Sequence, residues 1–377
     1  MTLITYLTRI HFADGVLEDA IKAEIEAAGM RRPLIVTDRG VVAAGLVDRL
    51  FEALPEGTAA TLFDATPANP TEAAVRDAAA AYRGEACDGF VSIGGGSAID
   101  LAKAAGIAVT HDGPLKLYAA VEGGAGRIVH PLPPHVAIPT TAGTGSEVGR
   151  GTVIVLDDGR KLGLLSPRLI PTAAICDPTL TLSLPPRLTA GTGMDALTHC
   201  VETYIAASYN PPADGIALDG LARAAANIER AVDNGRDLAA RREMMAAAMN
   251  GALAFQKGLG GVHAMSHALG GLGGSQLHHG TLNGVLLPHV LVFNAPAAGH
   301  RYEALARAMG LVPGADVAEA IHRLGERIGM PSGLAGMGID DALVERAAPL
   351  AEKDHTNGTN PRRATAEDYR ALMRAAL

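Results

Sequence analysis

The sequence predicts two domains of different class: an α/β domain with a mostly parallel sheet over residues 1–181, and an all-helical domain over 182–377. Three observations carry this. Short apolar runs alternate with helical stretches through the first half, and glycine-rich turns follow two of those runs. From Pro186 onward the pattern is helical and alanine-rich, with few β-branched runs. A chain of 377 residues is long enough for each part to bury its own core.

In order, Pro33–Asp38 reads as a buried strand followed by a helix through Val42–Leu54. Ala60–Phe63 and Pro70–Tyr82 repeat that pair, and Gly89–Ile93 is a third strand that runs through Gly94-Gly95-Gly96-Ser97 into a helix over Ala98–Val109. Val136–Pro139 is a fourth strand, ending in Thr140-Thr141-Ala142-Gly143-Thr144-Gly145-Ser146. Asp157-Asp158-Gly159, between apolar runs, marks a hairpin turn with Lys161 just beyond it. In the second half, helices are expected around Asp195/His199, near Ala217–Val232, Leu238–Phe255 and His263–Leu269, and over Asp316–Ile328 and Asp340–Lys353.

The two glycine turns carry chemistry. Glycine lets the backbone approach a ligand closely, and the first turn of a helix presents free N–H groups to an anion. Gly95, Gly96 and Ser97 stand at one such junction, though without the G-x-G-x-x-G spacing of the standard dinucleotide fingerprint. From Thr140 to Ser146 every position except Ala142 is glycine or bears a hydroxyl, which suits a phosphate and a ribose. Ligands of open α/β sheets bind at strand C-termini, where both loops fall. Asp38, at the end of the first strand, is placed to bond a ribose 2′-hydroxyl. Its charge repels a 2′-phosphate and so favours NAD over NADP.

Composition removes other classes. The formal charge is −8, no extended Lys/Arg cluster is present, and aromatics are only 3%, so no nucleic-acid partner is expected. No apolar run reaches the length of a membrane span, and Met1–Phe12 lacks the charged lead and apolar core of a signal peptide; a cytoplasmic enzyme is the expectation. Cys87, Cys176 and Cys200 form no CxxC pair.

Histidines concentrate in the second half. Asp195 and His199 stand four apart on a helical run, as do His263 and His267, and that spacing puts each pair on one helix face. His278 and His279 follow on what reads as a glycine-rich loop, Gln276–Gly280. One carboxylate and three imidazoles suit a divalent cation such as Fe(II) or Zn(II), while residue types alone leave open which of His263 and His267, and which of His278 and His279, take part.

Taken together these motifs resemble the iron-containing (group III) alcohol dehydrogenases along nearly the whole chain. The matching pieces are Asn69-Pro70-Thr71, GGGSAID with Lys103, IPTTAGTGSEV, Lys161 with Ser166-Pro167, Asp177-Pro178, GMDALTHCVE, HAMSH, HHGTLNGVLLPHV and Asn360-Pro361-Arg362. The resemblance implies the dehydroquinate synthase-like fold, with a dinucleotide domain, a helical metal domain and a catalytic cleft between them. It puts the family's metal ligands on Asp195, His199, His263 and His279, and a proton-transferring histidine on His267. It puts nicotinamide-cofactor contacts on Gly95, Gly96, Ser97, Thr140, Thr141, Thr144 and Lys161, and the NAD-selecting acid on Asp38. The implied chemistry is hydride transfer between an alcohol and NAD with a divalent cation polarising the substrate oxygen, in a homo-oligomer. Two departures stand out: the stretch from His267 to His279 is longer than usual, and Phe255-Gln256-Lys257-Gly258 is shorter.

Within the family, LDDGRKLG, NPPADGIALDGL, AFQKGLGGVH and the lengthened LHHGTLN loop look most like the bacterial branch that interconverts 4-hydroxybutyrate and succinic semialdehyde. A carboxylated substrate needs a cation, and Arg150 and Lys257 are the candidates. The guanidinium fork makes Arg150 the first choice. Other substrates handled on this scaffold, such as lactaldehyde, propanediol or maleylacetate, are the nearest alternatives. A metal-dependent hydrolase is disfavoured, because Ala264 stands where an HExxH helix needs its glutamate.

Overall fold

The computed structural model describes residues 8–273 and 277–377; the expectations for Met1–Leu7 and for Gln276 in the lengthened loop lie outside the described residues. Among the described residues the chain parts into two compact units, one comprising 8–141 and 146–183, the other chiefly 184–377 together with the short segment 142–145.

The first unit is built on strands β1 (Arg9–Phe12), β2 (Pro33–Val36), β3 (Thr61–Phe63), β4 (Gly89–Gly94), β5 (His135–Pro139) and β8 (Ala173–Cys176). They pair in the order β1-β8-β5-β4-β2-β3, every pair parallel. Strands β2, β4, β5 and β8 are buried along their whole length, as a sheet covered on both faces requires, and hence read as continuous apolar runs. Helices α1 (Leu17–Ala28), α2 (Arg39–Ala43), α3 (Leu46–Ala53), α4 (Glu72–Gly84) and α5 (Gly96–Thr110) supply the cover. One apolar cluster joins Leu34, Val75, Phe90 and Leu101, and another joins Leu17, Ile21, Ile35, Leu50 and Ile93. The predicted hairpin forms as β6 (Gly151–Val155) and β7 (Lys161–Leu165), antiparallel, with Val155 opposite Lys161.

The helix expected over Val42–Leu54 is two helices. Gly45 lies between α2 and α3 with φ of 74°, a left-handed conformation that glycine adopts without steric cost and that ends a regular helix.

In the second unit the described helices are α6 (Pro186–Ile205), α7 (Pro211–Asp233), α8 (Leu238–Ala254), α9 (Gly261–Leu272), α10 (His279–Ala298), α11 (Tyr302–Ala308), α12 (Val317–Arg327), α13 (Asp341–Lys353) and α14 (Ala366–Ala375). Helix α6 is almost wholly buried from Thr189 to Ile205, which is why its sequence shows apolar and small residues all round rather than a stripe. The sequence reading of His278 and His279 as loop residues is corrected here: His279 opens the 20-residue helix α10, and His278 is its N-cap. Gly280, Gly284 and an internal Pro288 lower the local helix propensity, and burial against neighbouring helices overrides it. Gly280 packs against Gly191 of α6 so closely that a Cβ at 280 would lie 2.2 Å from the Gly191 carbonyl oxygen. This contact seats the start of α10 on the turn of α6 that precedes Asp195.

Candidate metal and cofactor sites

In the helical unit, Asp195 and His199 project from α6, His263 from α9 and His279 from the first turn of α10. Their donor atoms converge. Asp195 Oδ1 lies 3.9 Å from His199 Nε2, 4.0 Å from His263 Nε2 and 3.9 Å from His279 Nε2. An ion with bonds of about 2.1 Å bridges donors up to about 4.2 Å apart, so each imidazole is within that reach of the Asp195 oxygen, and the donors of Asp195, His263 and His279 all lie within 4.8 Å of one another. The electrostatics agree. His199 is fully buried and pushed down to about 4 by that burial, against the pull of Asp195, which leaves its imidazole neutral and fit to be a ligand. Burial opposes charge on His263 too, but the hydrogen bond and charge of Glu202, with Asp195 beyond, outweigh it and raise its pKa. The two carboxylates flanking that ring favour positive charge at this point, which a metal ion supplies.

Three groups that sequence reasoning passed over complete this centre. Glu202 accepts from His263 Nδ1 at 2.6 Å. Asn283, fully buried on α10 one turn after His279, donates from Nδ2 to Asp195 Oδ1 at 2.7 Å. Asp354, just after α13, lies with Oδ2 at 3.0 Å from His267 Nδ1, while its Oδ1 accepts from the Thr356 N–H and hydroxyl. The only sequence signal for Glu202 was its i+3 position after His199; Asp354 is 87 residues from His267 and no local pattern ties them.

His267 is buried, with its ring stacked on that of His279 at 5.5 Å between centroids and on that of His355 at 5.9 Å. His278 takes another role: its Nδ1 accepts from the Thr281 N–H at 3.3 Å and lies 2.9 Å from the Thr281 hydroxyl, capping α10. Segment 142–145 packs within the same unit, where a Cβ at Gly143 would meet Thr192 at 2.8 Å and one at Gly145 would meet Ala252 at 2.2 Å.

Lys257 does not join the centre. Its ammonium is buried, donates to the Tyr204 carbonyl at 2.8 Å and pairs with Asp214, which also binds Arg301. A buried cation already paired with a carboxylate and a carbonyl is not available to a substrate carboxylate, which corrects the Lys257 expectation.

In the α/β unit, the strand order reverses between β2 and β4, since β3 lies outside β2 on one side and β5 beyond β4 on the other. Ligands of such sheets bind at this switch, beyond the strand C-termini. Asp38 follows β2 and the glycine turn follows β4. Asp38 also caps α2, its Oδ1 accepting from Gly40 N at 2.8 Å and Val41 N at 3.1 Å. Gly95 is the N-cap of α5 and contributes no side-chain cap, and of the first-turn N–H groups that of Ala98 turns back to the Gly95 carbonyl at 3.1 Å. Ser97 donates to the Ala68 carbonyl at 2.6 Å, and Lys161 donates to Asn69 Oδ1 at 2.8 Å, so the adjacent residues Ala68 and Asn69 tie the glycine turn before α5 to the start of β7. Thr140 follows β5 with its N–H on the Gly94 carbonyl, and a Cβ at Gly95 would touch Thr141. Arg150 is partly buried just before β6, and desolvation lowers its pKa from the usual arginine value.

Residues 8–178 match the family model described as iron-containing alcohol dehydrogenase, and residues 189–377 match that of the Fe-containing alcohol dehydrogenase family, C-terminal. The chain is 53% identical over the full length of both proteins to a 4-hydroxybutyrate dehydrogenase from Cupriavidus necator. This chain belongs to the iron-containing alcohol dehydrogenase family. It is an NAD-dependent alcohol oxidoreductase. Among solved structures, one of a 1,3-propanediol oxidoreductase superposes with a TM-score of 0.93 at 38% identity, covering all of both chains. A sulfoacetaldehyde reductase from Bifidobacterium kashiwanohense in complex with NAD+ superposes at 0.85 with 30% identity, covering 100% of this chain and 99% of that one.

Proposed function

We propose that this enzyme interconverts 4-hydroxybutyrate and succinic semialdehyde with NAD(H). The observation that carries the reading is the 53% identity, end to end, to the 4-hydroxybutyrate dehydrogenase of Cupriavidus necator. Asp195, His199, His263 and His279 hold the divalent cation, Fe(II) or Zn(II), as the approach of all three imidazoles to the Asp195 carboxylate supports. Bound there, the cation supplies Lewis acidity that stabilises negative charge on the substrate oxygen, worth several kcal/mol.

The chain's own groups do the rest. Gly95, Gly96, Ser97, Thr140, Thr141, Thr144 and Lys161 hold the nicotinamide cofactor, and Asp38 selects NAD by repelling a 2′-phosphate. His267, with Nδ1 committed to Asp354, offers Nε2 to take or return the hydroxyl proton. Arg150 pairs with the substrate carboxylate through its planar fork. The enzyme acts in the cytoplasm as a homo-oligomer. The three free thiols Cys87, Cys176 and Cys200 suit a reducing compartment, and sedimentation velocity reads the subunit number.

The second reading is an uncharged short-chain substrate, favoured by the structural likeness to the 1,3-propanediol oxidoreductase. NADH oxidation with succinic semialdehyde, propanal and lactaldehyde, after anaerobic loading with Fe(II) or Zn(II), separates the two. A higher kcat/KM for succinic semialdehyde is expected; a preference for the uncharged aldehydes discards the carboxylate reading and leaves the family assignment untouched.

A further inference from the structure

Glu202 has no part in the hydride or proton steps, yet its carboxylate is as deeply buried as any ligand, with a side-chain exposure of 1%. Among the described residues, the hydrogen bonds to it come from the start of α9. Oε2 accepts from Gly260 N at 3.1 Å and from His263 Nδ1 at 2.6 Å, and Oε1 accepts from Val262 N at 2.7 Å. Gly260, the N-cap of α9, contributes no side-chain cap. A Cβ on it would lie 2.8 Å from Glu202 Oε1, so glycine at this position admits the carboxylate. The Gly261 N–H of that turn goes to Asn360 Oδ1 at 3.0 Å. Helix α9 is thus capped from outside by two side chains, of which only Glu202 also touches the histidine.

We propose that Glu202 is a positioning residue for the metal centre, holding His263 in the tautomer with hydrogen on Nδ1 and the lone pair of Nε2 turned toward Asp195. The inference rests on the reading of His263 as a ligand. Its logic is one of donors and acceptors. A carboxylate only accepts, and Glu202 is pinned by two backbone N–H groups, so it cannot turn away from the ring. The neutral imidazole has one hydrogen to give, and giving it to Glu202 clears Nε2 for the cation. A negative charge behind the ring also makes Nε2 a stronger donor, as carboxylate–histidine pairs do at metal centres generally. Glu202 follows His199 by three residues on α6, so the helix that carries two ligands also orients a third.

The test is Glu202→Gln in the full chain. The amide keeps size and shape but sets an NH2 against either His263 Nδ1 or the α9 N–H groups. Against Nδ1 it favours the tautomer with hydrogen on Nε2, where the cation must bind. Metal affinity, read by competition of Zn(II) or Co(II) with a chromophoric chelator, is expected to fall about ten- to a hundredfold. Glu202→Asp, which keeps the charge on a shorter arm, should recover part of the loss. Asn360→Ala removes the neighbouring cap without touching His263 and should change affinity much less. Nitrogen-15 histidine spectra of the metal-stripped wild type should show His263 with hydrogen on Nδ1, a measurement that does not depend on any variant folding.

Equal losses in Glu202→Gln and Asn360→Ala would reduce Glu202 to a helix cap and overturn the proposal. Wild-type affinity in Glu202→Gln, or a neutral His263 ring in the wild type with hydrogen on Nε2 and none on Nδ1, overturns it as well. His263→Ala separates this inference from the reading beneath it. If that variant binds metal normally, the ligand assignment fails; if it loses metal while Glu202→Gln does not, only the positioning role fails.

Discussion

His267 Nδ1 lies 3.0 Å from Asp354 Oδ2, and the other oxygen of that aspartate is held by the Thr356 N–H and hydroxyl. Burial works to raise the Asp354 pKa, but the charge and hydrogen bond of His267, with help from His355 and Thr356, hold the carboxyl well below the usual aspartate range. An aspartate kept ionised orients a histidine rather than exchanging protons with it. Asp354→Asn should therefore lower kcat on the order of 10²-fold, the usual scale of general acid–base catalysis, with little change in bound metal. His267→Ala should do the same. Metal analysis of the purified variants beside steady-state kinetics checks both, and a collapse of metal content in His267→Ala would make His267 a ligand.

The adjacent pair His278 and His279 should part cleanly on mutation. His279 faces Asp195, whereas His278 caps α10. His279→Ala is expected to abolish tight metal binding and activity. His278→Ala should cost about 1 kcal/mol of stability, the worth of a helix cap, and retain most of the metal. Chelator competition and denaturant unfolding of the two variants give the comparison, and metal loss in His278→Ala alone would reverse the assignment.

Asp38 serves both as a cap and as the proposed NAD selector, and one substitution separates the roles. Asp38→Ser keeps an oxygen for Gly40 N and Val41 N but removes the charge. The ratio of kcat/KM for NADPH over NADH should rise about tenfold or more, equivalent to 1.4 kcal/mol per decade, without loss of thermal stability. An unchanged ratio would leave Asp38 as a cap alone.

Arg150→Met removes the charge while filling similar space. On the carboxylate reading, KM for succinic semialdehyde should rise at least tenfold, with KM for propanal nearly constant. Parallel changes for both aldehydes would assign Arg150 to the fold instead.

The loop after Thr144 has its own pH dependence. Lys103 lies among four acceptors, the carbonyls of Ser146, Gly149 and Gly151 and the Ser146 hydroxyl. Beside them Glu147 is raised from 4.5 to about 7 by burial, its own backbone N–H and Lys103 opposing. The folded state then binds this proton more tightly than the unfolded chain. Its contribution is fully present below about 4.5 and is lost as pH rises through about 7. Glu147→Gln, a permanent mimic of the neutral form, should flatten the fall in stability across that window. Denaturant midpoints of wild type and variant at pH 5 and 8 read it, and curves that stay parallel would show that Glu147 is ionised in the fold.

Much of this was legible in the chain because the signals are local. Buried parallel strands read as unbroken apolar runs, and i,i+4 spacing set Asp195 with His199 and His263 with His267 on shared helix faces. What was not legible depended on the other helices. Nothing near His279 marks it as the opening of α10, because Gly280, which makes the contact with Gly191 possible, also weakens the local helix signal. Lys257 looked free because its partner Asp214 is 43 residues away.

The sequence by itself determined the two-part division, the glycine turns, the family and the candidate ligands, since each of these is written in periodicity, residue type and short spacing. Tertiary structure decided which imidazole faces the centre and which caps a helix, where Glu202, Asn283 and Asp354 lend their hydrogen bonds, and why Lys257 is spent. The reason is physical. A side chain's chemistry is set by the donors and charges within a few ångströms of it, and in a buried site most of those come from helices distant in sequence.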